Sequence, residues 1–206
     1  MNERSSVFPL IRETGRKNEA AILTAALDAF GENGFNGASM RDVATAAGTS
    51  LSNLYNYFPS KSHLLAELLR LANDEQLARV RTAVEAAGAS PVARMHAAVT
   101  AFVGFVVDHT TASRVAISEI RYLSGVNRKE VVAARDSTQG IFEEIVASGV
   151  RSGDFRTPYP EDVVRSILSM CAAISTWYDP GGRLSKDALC DRHARYALAL
   201  LEAGRL

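Results

Sequence analysis

Residues 49–61 read TSLSNLYNYFPSK and carry a single formal charge, Lys61. The stretch sets short hydrogen-bonding side chains beside tyrosine rings. Successive residues of a helix turn by about 100°. Leu51, Leu54 and Phe58 then share one stripe that must be buried, while Ser52, Asn53 and Asn56 point away from it. Tyr55 and Tyr57 fall on the shoulders. Such a face can meet base edges in a major groove while its tyrosine hydroxyls reach phosphates. Periodicity alone fits equally well an ordinary helix corner whose polar residues face water.

Other chemistries find little support. The chain holds no Gly-x-Ser-x-Gly elbow, phosphate loop, His-Glu-x-x-His or dinucleotide fingerprint. His63, His96, His109 and His193 stand singly on predicted helices, so no metal site and no cofactor is expected. Cys171 and Cys190 lie far apart without Cys-x-x-Cys spacing, which fits reduced thiols in a cytoplasm. Acidic and basic residues balance at 23 each. Up to residue 63 the charges also cancel, so charge does not argue for a nucleic-acid partner. The longest apolar run, AAVTAFVGFVV at 97–107, is too short to span a bilayer, and no membrane partner is expected.

Apolar residues recur at three- and four-residue steps with no strand-like alternation, which predicts an all-α chain of about nine helices. The first runs over about 16–33, the second opens at Ser39, and the third is capped by Ser50. The fourth covers about 60–87, the fifth 91–109, the sixth 112–123 and the seventh 127–151. An eighth spans 161–178 and a ninth 185–203. Three short helices followed by long ones suggest a small head on a larger bundle. We expect an arm at 1–15, expected to be flexible, a DNA-binding head at 16–60, and a regulatory part at 61–206.

Within the head, RDVATAAGTSLSNLYNYF reads as helix, tight turn, helix. Small Ala44 allows close approach, Gly48 permits the positive φ of the turn, and Val43, Ala47 and Leu54 fill the space between. That is the pattern of a helix-turn-helix, whose second helix enters the groove.

The fuller run GFNGASMRDVATAAGTSLSNLYNYFPSKSHLL closely resembles the head of the tetracycline-repressor (TetR) family of bacterial transcription regulators, over about residues 16–68. Ser52 and Asn53 depart from the Gly and Thr common there, so no operator sequence can be carried over. The resemblance implies a base-edge group of Thr49, Ser52, Asn53 and Asn56. It implies a phosphate group of Ser39, Arg41, Tyr55, Tyr57 and Lys61. It also implies a homodimer built on the last two helices, whose apolar surface is compatible; Val164, Leu168, Leu198 and Leu201 are the seam candidates.

Family members usually hold an apolar effector between the middle helices. Here Phe102, Phe105, His109, Ile117, Arg121, Arg135, Phe142 and Trp177 are the pocket candidates, and Trp177 serves equally as a seam residue. Taken one by one, the aromatic residues fit plain core packing as well. EIRYLSG, GIFEEIVASGVRSGDFR and STWYDPGGRLS look like a branch that senses acyl-coenzyme A thioesters, for which Arg121, Arg128, Lys129 and Arg135 would supply cations. The expected function is that of a cytoplasmic bacterial repressor, on the nucleoid when bound to operator DNA and released by a small apolar effector. The alternatives are a DNA-binding structural or co-regulatory protein without an effector and, with less support, an all-α enzyme.

Overall fold

The computed structural model describes residues 17–204; the arm at 1–15 lies outside them. Among the described residues there are ten α-helices, one 3-10 turn and no strand. They are α1 (Lys17–Gly37), α2 (Met40–Ala46), α3 (Leu51–Tyr57), α4 (Lys61–Ala86), α5 (Pro91–Asp108), α6 (Thr110–Glu119), a 3-10 turn (Ile120–Tyr122), α7 (Gly125–Ser152), α8 (Val163–Ala172), α9 (Ile174–Trp177) and α10 (Lys186–Leu200).

Serine caps explain four of the starts. Ser39, Ser50 and Ser185 each accept the amide three residues on, and Ser60 accepts that of His63. Pro91 sits at the first position of α5, where a missing N–H costs nothing. Gly34 breaks α1 with φ 67° and ψ 173°. The expected eighth helix is divided at Ala173 into α8 and α9. There Ser175 Oγ donates to Ala172 O and Thr176 Oγ1 to Ala173 O, and such bonds compete with the helical ladder.

The chain folds into two compact units that do not divide at residue 60. The first takes the chain up to Glu75 and adds His109–Ala134, so α6 and the 3-10 turn belong with α1–α3. The second takes Gln76–Asp108 and everything from Arg135 onward. In the first unit α1 packs on both α2 and α6, and Ile22, Leu23, Phe30, Leu54, Leu64 and Leu68 are fully buried. Gly31 marks the closest approach: a Cβ there would lie 2.5 Å from Thr111 Cγ2.

In the second unit α5 and α10 form the main contact, closed by α8 and α9. Its core includes Met95, Val99, Phe102, Phe142, Ile145, Ile167, Leu189 and Ala197. By length and composition α5 is apolar enough to cross a membrane, which the run at 97–107 did not suggest. Half of its residues are buried within the chain, as in a core helix.

Candidate nucleic-acid interface

The third helix is held by its inner stripe. Leu54 and Phe58 are buried, while Ser52, Tyr55 and Asn56 are exposed and Asn53 and Tyr57 are half-buried. The turn before it closes through Gly48 N to Thr45 O at 3.1 Å and Thr49 N to Ala44 O at 3.0 Å. Gly48 adopts φ 67°, the left-handed region that a side chain disfavours.

Two bonds then organise the polar face. Asn53 N donates to the Ser50 cap at 3.1 Å, and Asn53 Nδ2 donates to Thr49 Oγ1 at 2.8 Å. The second bond uses one amide proton and orients the group. The other proton and Oδ1 remain in the arrangement that pairs with the N6/N7 edge of adenine. Ser52, Asn53 and Asn56 lie within about 100° of arc.

The expected phosphate group is less uniform. Arg41 and Tyr55 are exposed. Ser39 Oγ accepts from Asp42 N at 3.1 Å and donates to Asp42 Oδ2 at 2.6 Å, so its hydroxyl already serves as the α2 cap. The Tyr57 ring lies 6.5 Å from that of Phe58. Lys61 turns inward: Nζ donates to Phe35 O at 2.6 Å and Ala38 O at 2.8 Å, and sits 4.5 Å from the Phe35 ring centre.

The expected effector residues divide between the two units. His109, Ile117 and Arg121 fall in the first; Phe102, Phe105, Arg135, Phe142 and Trp177 fall in the second. Phe102 meets Phe142 edge-on at 6.1 Å inside the core, and Phe105 lies 5.5 Å beneath the Arg79 guanidinium. His109 is buried with Nε2 4.0 Å from Glu75 Oε1. Arg121 and Arg135 are exposed, Ile117 is 48% exposed and Trp177 is 53% exposed. The Cβ that Gly104 lacks would make ordinary contact with the Lys186 stem at 3.7 Å, so the site has room for an alanine.

The seam candidates face mostly inward. Val164, Leu198 and Leu201 are buried in their own chain and Leu168 is half-buried, because they lie on the inward stripe of α8, of α10 and of its C-cap. The outward aromatic surface keeps Trp177 from the sequence reading and adds two residues. Trp177, Tyr196 and Leu200 are each about half exposed, and the His193 ring lies between Trp177, stacked at 6.3 Å, and Tyr196, edge-on at 5.6 Å. The signal was the i, i+4 step from 196 to 200, out of phase with the buried positions 194, 197, 198 and 201.

Burial raises the Cys171 thiol to about 12, with a further push from Cys190, and burial also raises Cys190. Both are free thiols buried in the core. Among the described residues no cluster of metal-ligating side chains forms.

Residues 88–201 match the family model of the tetracyclin repressor-like C-terminal domain, and residues 22–68 match that of the bacterial regulatory proteins of the tetR family. The HTH-type transcriptional repressor KstR2 of Rhodococcus jostii (strain RHA1) is 26% identical over 188 residues, covering 90% of this chain and 91% of that protein. The TetR family regulator PfmR from Thermus thermophilus aligns with a TM-score of 0.78 at 27% identity, covering 90% of this chain and 99% of that one. AibR, solved with isovaleryl coenzyme A and operator DNA, has the same fold, with a TM-score of 0.81 at 24% identity and coverage of 92% and 100%. The chain belongs to the tetracycline-repressor family of transcription regulators, DNA-binding proteins that are not enzymes.

Proposed function

We propose that this protein is a homodimeric repressor that reads operator DNA with α3 and leaves it when a small apolar effector binds. The observation that carries the DNA reading is the Thr49–Asn53 bond beside exposed Ser52 and Asn56. It presents an oriented amide on a helix whose opposite stripe is buried. An amide held before contact loses less entropy on binding than a free one. Exposed Tyr55 and Arg41 supply the phosphate contacts; Tyr57 and Lys61 contribute chiefly by packing.

Two copies reading successive turns of one DNA face need their α3 helices about 34–36 Å apart. The half-exposed Trp177, Tyr196 and Leu200 offer an aromatic seam for the second copy, and aromatic residues are enriched at such interfaces. The family match over 88–201 supports this assembly and a site of action in the bacterial cytoplasm.

For the effector we favour an acyl-coenzyme A thioester, the ligand class present with AibR. Arg121, Arg128 and Lys129 are exposed close together in sequence and suit its phosphates; the Arg121 guanidinium lies 5.0 Å over the Tyr122 ring. The effector releases DNA if it binds the released form better, and a few kcal/mol of preference suffices. Duplex selection followed by mobility-shift titration with coenzyme A thioesters and the matching free acids tests this. Release by thioesters alone supports the assignment. Release by free acids, or none by either, removes it.

A further inference from the structure

The corner between α1 and α2 is gripped from two directions. Phe35 N donates to Glu119 Oε2 at 2.7 Å, across 84 residues of sequence. Phe35 O and Ala38 O both accept from Lys61 Nζ. The Phe35 ring stacks on Tyr122 of the 3-10 turn at 5.3 Å, with 16° between the planes. Glu119 closes α6 and its side chain is buried. Lys61 opens α4, three residues beyond the buried Phe58 that ends α3. One peptide segment, 35–38, therefore receives a carboxylate from α6 and an ammonium from the helix that follows α3. It leads straight into Ser39, the cap of α2.

This arrangement fixes a direction. The orientation of α2 depends on where segment 35–38 lies, and α3 packs on α2 through a tight turn. Gly31 against Thr111 and Gly34 against Glu119 keep α1 close along α6; the Cβ that Gly34 lacks would lie 3.6 Å from Glu119 Oε2. The site is partly buried, so an amide deprived of its carboxylate finds another acceptor in water or through a shift of the corner.

We propose that Glu119 is a positioning residue for DNA reading: through its bond to the Phe35 amide it sets the angle at which α2 and α3 present the polar face. This rests on the reading of α3 as the DNA-contacting helix. Glu119 touches no DNA, and its effect passes through Phe35. A change in α6 would reach the head by the same bond, which makes α6 part of the reading unit.

The test uses the full-length protein and a duplex obtained by selection with the wild type. Binding is measured by fluorescence anisotropy for Glu119→Ala, Glu119→Gln and Asn56→Ala, with thermal melts to define the folded temperature range. Glu119→Ala should lower affinity on the order of tenfold, with an unchanged salt slope because no phosphate contact is lost. Glu119→Gln keeps a carbonyl oxygen for the Phe35 amide and should restore most of the loss. A purely structural role would lower the melting temperature and leave the affinity of folded protein alone. Glu119→Ala binding as tightly as wild type while Asn56→Ala binds poorly overturns the proposal. So does a Glu119→Gln defect as large as that of Glu119→Ala. If Glu119→Ala does not fold, Glu119→Asp, one methylene shorter, should show an intermediate loss, and wild-type affinity there is equally fatal. If neither Asn56→Ala nor Glu119→Ala changes binding, the reading of α3 itself has failed.

Discussion

Lys61 separates two physical accounts of one side chain. From the sequence it is a phosphate contact at the start of a helix; in the structure its ammonium donates to Phe35 O and Ala38 O and sits over the Phe35 ring. Hydrogen bonds from a charged donor are worth about 1.5–3 kcal/mol each. The site is half-buried, so water recovers part of that when the donor is removed. Lys61→Met keeps the aliphatic stem and removes the charge. Two bonds at the low end of the range, discounted for water, give a loss of about 2 kcal/mol. Urea unfolding reads that loss as a lower midpoint at unchanged m-value. Each phosphate contact adds about 0.9 to the slope of log K against log salt, so a contact in both protomers would remove about 1.8 on substitution. The inward ammonium predicts a slope within a few tenths of wild type. Unchanged stability together with a slope reduced by about 1.8 would refute the inward clamp and restore the phosphate role.

Other substitutions probe separate parts. Ser39→Ala removes the α2 cap and should cost about 0.5–2 kcal/mol in urea unfolding, with little change in salt slope. Gly48→Ala meets no atom within 4 Å and should cost only the left-handed backbone penalty, about 1–2 kcal/mol. Gly149→Ala places a Cβ 2.1 Å from Phe155 Cδ2 and should cost more than Gly48→Ala in the same assay. Trp177→Ala with Tyr196→Glu should turn a dimer into a monomer by sedimentation velocity, whereas Val164→Ala should lower stability by forming a cavity. The Asp28 carboxyl is pushed above its ordinary value because partial desolvation, and then Glu32, disfavour its charge, although the residue is exposed. Its stabilising contribution is therefore complete below the unfolded pKa and lost as pH rises through the folded one. Asp28→Asn should raise the melting temperature slightly at neutral pH and lose that advantage in acid.

Local chemistry was legible in the sequence and long-range pairing was not. Serine caps at 39, 50, 60 and 185, the proline start at 91 and the glycine turn at 48 all express backbone preferences of their own residues. The inner stripe of α3 followed from helical period alone. The partner of Phe35 did not, because nothing near it in sequence signals Glu119. The direction of Lys61 did not either: a lysine stem reaches either solvent or a neighbouring carbonyl, and only the position of α1 decides. The last helices are apolar over much of their circumference, so composition could not say that Val164 and Leu198 face inward while Trp177 and Tyr196 face out. The division of α8 from α9 turns on two hydroxyls choosing backbone carbonyls, a choice that period cannot reveal.

The most direct measurement is the sequence preference of the wild type and of Asn53→Ala in parallel duplex selections at one salt concentration. If the oriented amide reads bases, the wild type should enrich a two-fold symmetric site and the variant should lose preference at one adenine in each half, with about 1–3 kcal/mol less discrimination there. Identical preferences from both proteins, or no enriched site from either, would contradict the account.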